Sequence, residues 1–148
     1  MDGLIIPGGE STVMGKLLAD MGMADTVRNM IVGGLPVFGT CAGMILLAEK
    51  IDNGPGRSLS TFPATVKRNA FGRQLGSFSV VSAFGDQGDI PMEFIRAPII
   101  TEVGKGVRVL SEIDGKIVAA RYNCQLVTAF HPELTSDDTV HRCFIGMF

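Results

Sequence analysis

Leu35-Pro36-Val37-Phe38-Gly39-Thr40-Cys41-Ala42-Gly43-Met44 is an apolar run that breaks into a turn of small residues and reopens as a helical pattern, Met44 to Lys50. A short continuous apolar run reads as a strand buried on both faces, and the glycines mark a sharp exit from it. The same order occurs upstream. Gly3-Leu4-Ile5-Ile6 is stopped by Pro7-Gly8-Gly9, after which Ser11 and Thr12 can cap a helix whose Met14, Leu17, Leu18 and Met21 recur at helical spacing. A further helix, Ala24 to Val32, ends at Gly33-Gly34 and leads into the strand that carries Phe38. Strands alternating with helices imply an α/β fold: three layers, a mostly parallel sheet with helices on both faces.

Beyond this unit the pattern changes. Asp52 to Ser60 is loop-like around Gly54-Pro55-Gly56, and strands are then expected at Ala64 to Lys67, Phe78 to Ala83, Glu93 to Ile95, Val107 to Glu112, Lys116 to Ala120 and Leu126 to Phe130. Asp114-Gly115 has the composition of a tight hairpin turn. Asp137 to Phe148 reads as a terminal helix.

The 148 residues suit a single domain, and 46% apolar against 19% charged residues is the balance of a chain that buries a core. A net charge of -2 without a run of Lys or Arg offers no footprint for nucleic acid or an anionic membrane. Cys41, Cys124 and Cys143 are odd in number and far apart, so neither a disulfide framework nor a metal site is expected, and a reducing cytoplasm fits.

Three segments carry chemistry. Gly39-Thr40-Cys41-Ala42-Gly43 has the layout of a nucleophile elbow with cysteine in the serine position. Helix-start N–H groups favour thiolate there, although Cys41 alone reads equally as a small buried apolar residue. Phe130-His131-Pro132-Glu133-Leu134 follows an apolar strand. A histidine there can take a thiol proton, and a carboxylate two residues on can hold the ring in one tautomer. Taken singly, both also suit an ordinary loop, and His141, without such a neighbour, reads as surface. Pro7-Gly8-Gly9-Glu10-Ser11 is a glycine-rich turn where a backbone N–H can face an oxyanion. It does not fit a phosphate loop, because five residues rather than four separate Gly9 from Gly15-Lys16, and Leu17 stands where Ser or Thr is needed.

In this order, Pro7 to Thr12, Gly39 to Gly43 and Phe130 to Leu134 resemble the class I glutamine amidotransferases, whose fold is flavodoxin-like. Arg68-Asn69-Ala70-Phe71-Gly72-Arg73-Gln74 and Phe94-Ile95-Arg96-Ala97-Pro98 resemble, within that class, the glutaminase subunits of pyridoxal 5'-phosphate synthase. The resemblance implies Cys41 as nucleophile, His131 as proton shuttle and Glu133 as its orienting carboxylate. It implies an oxyanion hole from the N–H groups of Gly9 and Ala42, and substrate binding by Gly9, Glu10, Ser11, Arg68, Ile95 and Arg96. The substrate would be L-glutamine. The products would be glutamate and ammonia, the latter passed to a synthase subunit in a hetero-oligomer that makes vitamin B6, with no cofactor or metal in the glutaminase itself. Residues 1–148 would form a single glutaminase domain lacking the family's first strand-helix-strand unit and the end of its last helix. An unpaired sheet edge at the Gly3 to Ile6 strand is the expected consequence.

Overall fold

The computed structural model describes residues 1–52, 54, 59–72 and 76–148. Among these residues ten strands and four α-helices follow one another, with a short helical turn at Pro132–Leu134. The first half contains β1 (Leu4–Ile6), α1 (Ser11–Asp20), α2 (Ala24–Val32), β2 (Val37–Thr40), α3 (Ala42–Leu47), β3 (Ala48–Ile51) and β4 (Phe62–Lys67). The second contains β5 (Ser77–Ala83), β6 (Asp89–Ile95), β7 (Ile99–Val103), β8 (Arg108–Ile113), β9 (Lys116–Tyr122), β10 (Gln125–Thr128) and α4 (Thr139–Ile145).

Eight strands make one sheet in the order β1-β2-β10-β9-β7-β4-β3, with β8 also paired to β9. Its parallel heart is β1-β2-β10, in which Ile6 lies beside Gly39 and Thr40 beside Thr128. Antiparallel pairs extend it through β9, β7 and β4, and β3 returns parallel to β4. The sheet is thus mixed, with the α/β unit at one end. Every residue of β2 and β10 is buried, as strands covered on both sides require. Helices cover both faces there. Phe38 meets His141 and Phe144 of α4, whereas a Cβ on the next residue, Gly39, would lie 2.8 Å from Leu47 of α3. Since successive strand residues point to opposite faces, α3 and α4 lie on opposite sides of β2. Among the described residues β1 pairs with β2 alone, leaving its outer edge without a strand.

β5 and β6 form a separate ribbon. Phe78 and Phe94 stack at 4.6 Å across it, and Phe94 meets Phe130 at 5.6 Å, so aromatic contacts seat the ribbon on the main body. Pro91 is accommodated in β6 because a two-stranded ribbon leaves an edge on which a missing N–H does not matter.

The helix expected over Met44 to Lys50 stops at Leu47, and Ala48–Ile51 is strand. The carbonyls of Leu46 and Leu47, free at the helix end, accept the N–H groups of Leu59 (2.6 Å) and Thr61 (3.0 Å), and Lys50 and Ile51 pair with Thr65 and Val66. A six-residue helix has little stability of its own to resist that capture. β7 was not expected either, and β6 begins at Asp89 rather than Glu93. The strand read as Leu126 to Phe130 ends at Thr128, and that read as Leu35 to Phe38 runs from Val37 to Thr40. The Asp114-Gly115 turn is present with both φ angles positive, 50° and 73°, between paired Ile113 and Lys116. Pro55 and Gly56 of the expected loop, and Arg73 and Gln74 of the quoted motif, lie outside the described residues. Among the described residues no helix is long and apolar enough to cross a membrane.

Candidate active site

The C-terminal ends of β1, β2 and β10 lie side by side because the three strands are parallel neighbours. The chain leaving β1 supplies Pro7 to Ser11, the chain leaving β2 supplies Cys41, and the chain leaving β10 supplies His131. Open α/β sheets place their sites at such strand ends.

Cys41 occupies the single position between β2 and α3, with φ 49° and ψ -101°. A non-glycine residue there is strained and must be held by its surroundings. Its N–H donates to the carbonyl of Thr128 at 2.7 Å, and its carbonyl accepts from Ile45 N–H, opening α3. The two motif glycines permit the turn. A Cβ on Gly43 would lie 2.1 Å from the Ile6 carbonyl oxygen, and one on Gly39 would lie 2.7 Å from the Gly43 carbonyl carbon. Helix α3 therefore packs backbone to backbone against β1 and β2.

The Cys41 sulfur is buried, 4.0 Å from the carbonyl of Ile95. Burial pushes the thiol above its ordinary pKa. The Ala42 N–H works against this, Glu133 adds to it, and Arg96 opposes it. The helix-start N–H thus acts in the direction expected from sequence, but desolvation outweighs it. For an acid that is anionic when deprotonated, a raised pKa means that the resting site holds neutral thiol at pH 7. Alkylation of Cys41 by iodoacetamide, followed by peptide mapping, should still be rising beyond pH ~8.5, the ordinary thiol midpoint. A plateau reached near neutrality would instead mean that the sulfur rests as thiolate.

His131 is held from two directions. Its N–H donates to the carbonyl of Glu93 in β6 at 2.8 Å, and its Nδ1 lies 2.7 Å from Glu133 Oε1. The short Pro132–Leu134 helical turn brings Glu133 back beside the ring. With Nδ1–H donating to the carboxylate, Nε2 is left as the basic nitrogen. The ring sits over bare backbone, since a Cβ on Gly8 would lie 2.4 Å from its Cε1.

These groups open onto one cavity of about 320 Å³. Gly9 and Glu10 line it from the first loop and Ser11 from the start of α1, Cys41, Ala42 and Ile45 from the elbow and α3, and His131 from the third loop. Arg68 and Asn69 enter after β4, and Ile95 and Arg96 at the end of β6. Gly9, Glu10, Ser11, Cys41, Ala42, Arg68, Ile95, Arg96 and His131 were all singled out from sequence, and the fold collects them. Glu133 lies behind the ring rather than on the wall.

Ile45 and Asn69 were not singled out. Asn69, Arg96 and Cys41 are three of the six non-glycine residues at positive φ among the described residues, so backbone strain concentrates on this wall. The Asn69 signal was its residue type, which tolerates left-handed backbone better than most. Elsewhere, His141 is half-buried with its ring edge-on to Phe38 at 6.0 Å, not the surface residue expected. Cys124 and Cys143 are half-buried free thiols outside the cavity. Among the described residues no cluster of three or more His, Cys, Asp or Glu is placed to hold a metal.

The profile of the SNO glutamine amidotransferase family matches residues 1–148. A pyridoxal 5'-phosphate synthase subunit PdxT from Methanocorpusculum labreanum is 58% identical over 146 residues, covering 99% of this chain and 77% of the relative. One of the same description from Desulfitobacterium hafniense is 53% identical over 145 residues, 98% of this chain and 73% of the relative. A crystal structure described as a glutamine amidotransferase superposes with a TM-score of 0.95 at 43% identity, covering 99% of this chain and 79% of that one. With the elbow, the imidazole-carboxylate pair and the shared cavity in place, these likenesses lead to one conclusion: the chain belongs to the SNO glutamine amidotransferase family.

Proposed function

We propose that this chain is the glutaminase of a pyridoxal 5'-phosphate synthase, hydrolysing L-glutamine to L-glutamate and ammonia through Cys41, His131 and Glu133. The observation that carries the reading is the 2.7 Å contact that ties His131 Nδ1 to Glu133 while the ring faces the cavity containing Cys41. The cavity suits a free amino acid, which carries both charges. Glu10 supplies an anion to its wall, and Arg68 and Arg96 supply cations.

The steps follow from the atoms present. His131 takes the Cys41 proton, and the sulfur attacks the side-chain amide carbon. The backbone N–H groups of Gly9 and Ala42 stabilise the oxyanion, a contribution of about 3 kcal/mol for one well-placed donor. Collapse expels ammonia, protonated by the imidazolium, and leaves a glutamyl thioester. His131 then deprotonates water, which cleaves the thioester to glutamate and restores the thiol. Gly9, Glu10, Ser11, Arg68, Ile95 and Arg96 hold the amino acid against these groups. No other reactant is consumed.

The ammonia goes to a synthase subunit in a hetero-oligomer of vitamin B6 biosynthesis, a reading supported by the descriptions of the relatives. We assign residues 1–148 to one glutaminase domain, supported by the one core cluster that, among the described residues, runs from Ile6 to Phe144. A cytoplasmic setting suits its three free thiols.

The test is glutamate release from glutamine with and without the synthase partner. Glu133→Gln should lower kcat on the order of 10²-fold or more yet stay measurably above Cys41→Ala, because it removes an orienting group and leaves the nucleophile. Equal losses in the two variants, with folding unchanged, would contradict the role given to Glu133.

A further inference from the structure

Between the nucleophile and the histidine lies one residue bonded to both chains. Thr128 ends β10 and is wholly buried. Its backbone carbonyl accepts the N–H of Cys41 at 2.7 Å. Its hydroxyl donates to the carbonyl of Phe130 at 3.0 Å. That carbonyl belongs to the same peptide unit as the His131 N–H, which donates to Glu93 at 2.8 Å. A peptide unit is planar and rigid, so the Phe130–His131 unit is pinned at both ends, by Thr128 on one side and β6 on the other.

The pin is placed where the chain changes partners. Ala129 N–H still bonds Val118 of β9 in the main sheet, whereas His131 N–H bonds the separate β5–β6 ribbon. A strand continuing past Thr128 would carry His131 onward along the main sheet. A threonine hydroxyl bonding nearby backbone offers the local alternative to that ladder.

Resting on the roles given above to Cys41 and His131, we propose that Thr128 is a positioning residue that sets the imidazole relative to the sulfur. One residue's carbonyl fixes the nucleophile's backbone, and its hydroxyl fixes the peptide that aims the base. Neither group reaches the substrate cavity. The hydroxyl is the part that substitution can remove, since valine keeps the shape of threonine and loses only the donor, leaving the Phe130 carbonyl without it.

Thr128→Val and Thr128→Ser are compared in the full chain, with Thr128→Ala replacing the valine variant should that one not fold. In Thr128→Val, kcat with the synthase partner should fall about 10- to 100-fold, the scale of a misplaced catalytic group. KM should stay within about threefold, since the binding wall is untouched. The midpoint of Cys41 alkylation should shift, because Glu133, which moves with the His131 segment, acts on the thiol, and Thr128→Ser should restore both readouts. Wild-type kcat and an unmoved midpoint in folded Thr128→Val would overturn the proposal. So would equal impairment in the serine variant, which would assign the effect to packing of the methyl group. Alkylation needs no turnover, so the two readings fail separately. Absence of glutaminase activity in the wild type would sink the proposed function, while the midpoint would still decide the role of Thr128.

Discussion

Cys41→Ala abolishes glutamine turnover and leaves glutamine bound: this is the expected result, and the fold gives both halves of it. Among the described residues the sulfur is the one nucleophilic side-chain atom that the elbow brings to the cavity wall, and the Ser11 hydroxyl on that wall comes from another segment. Loss of a nucleophile in a unit of this kind costs on the order of 10⁴- to 10⁶-fold in kcat. Binding should survive because the groups assigned to the amino acid, from Glu10 to Arg96, come from other loops and do not depend on the thiol. Alanine also relieves desolvation of a polar group, and the sulfur it removes faces the cavity, so the variant should fold. Calorimetric titration with glutamine and an assay of glutamate release read the two halves independently. A variant that no longer binds glutamine would mean that the sulfur holds substrate rather than attacks it.

The second large effect should come from a single methyl group. In Gly43→Ala the new Cβ would sit 2.1 Å from the Ile6 carbonyl oxygen and 3.0 Å from its carbon. The Cβ position is fixed by the backbone and the atom it meets is backbone, so no side-chain rotation relieves the contact. Helix α3 must move away from β1, and Cys41, bonded to the helix start through its carbonyl and to Thr128 through its N–H, must move or lose one of these bonds. Overpacking of this kind costs about 3 kcal/mol when the neighbour cannot yield. Displacement of the nucleophile by even an ångström costs a further 10²-fold or so in kcat among the molecules that fold. Denaturant unfolding and turnover should therefore both deteriorate. Wild-type values for both would show that the α3–β1 packing is looser than the contact implies.

The site was largely legible because its parts are local. The elbow announces itself by an apolar strand, two glycines and a helix within ten residues. The His131–Glu133 pair is separated by one residue, so a short turn suffices to bring carboxylate to ring. What sequence could not display is why three distant segments meet. The reason is the parallel order β1-β2-β10, which puts the first, second and last strands of the α/β unit side by side with their exits together. Nor was the contribution of the β5–β6 ribbon readable. Glu93 serves through its backbone carbonyl, which every residue possesses, so its residue type carries no signal. Thr128 was hidden for a related reason, being the one polar residue in the apolar run Leu126 to Phe130, with a hydroxyl that bonds only a backbone carbonyl two residues on.

In the fold, the failures lie where tertiary pairing overrides local preference. Ala48, Glu49 and Lys50 are good helix formers and continue the pattern of α3, yet the amides of Leu59 and Thr61 take the carbonyls of Leu46 and Leu47, and β4 pairs Ala48 and Lys50 as strand residues. The β9–β10 hairpin turns at Asn123-Cys124, where only Asn123 signals a positive φ. Its neighbour Asp114-Gly115 carries the usual pair of turn residues and was found. His141 was misjudged because its burial comes from Phe38, a partner about a hundred residues away that no local pattern reveals.

Turnover by the proposed route requires that glutamine acylate Cys41. Mixing enzyme, synthase partner and glutamine, quenching in acid within a turnover and mapping the peptides by mass spectrometry tests it most directly. A glutamyl adduct is expected on the peptide carrying Cys41 and none on those carrying Cys124 or Cys143. Rapid glutamate release with no adduct on Cys41, and undiminished in Cys41→Ala, would contradict that route.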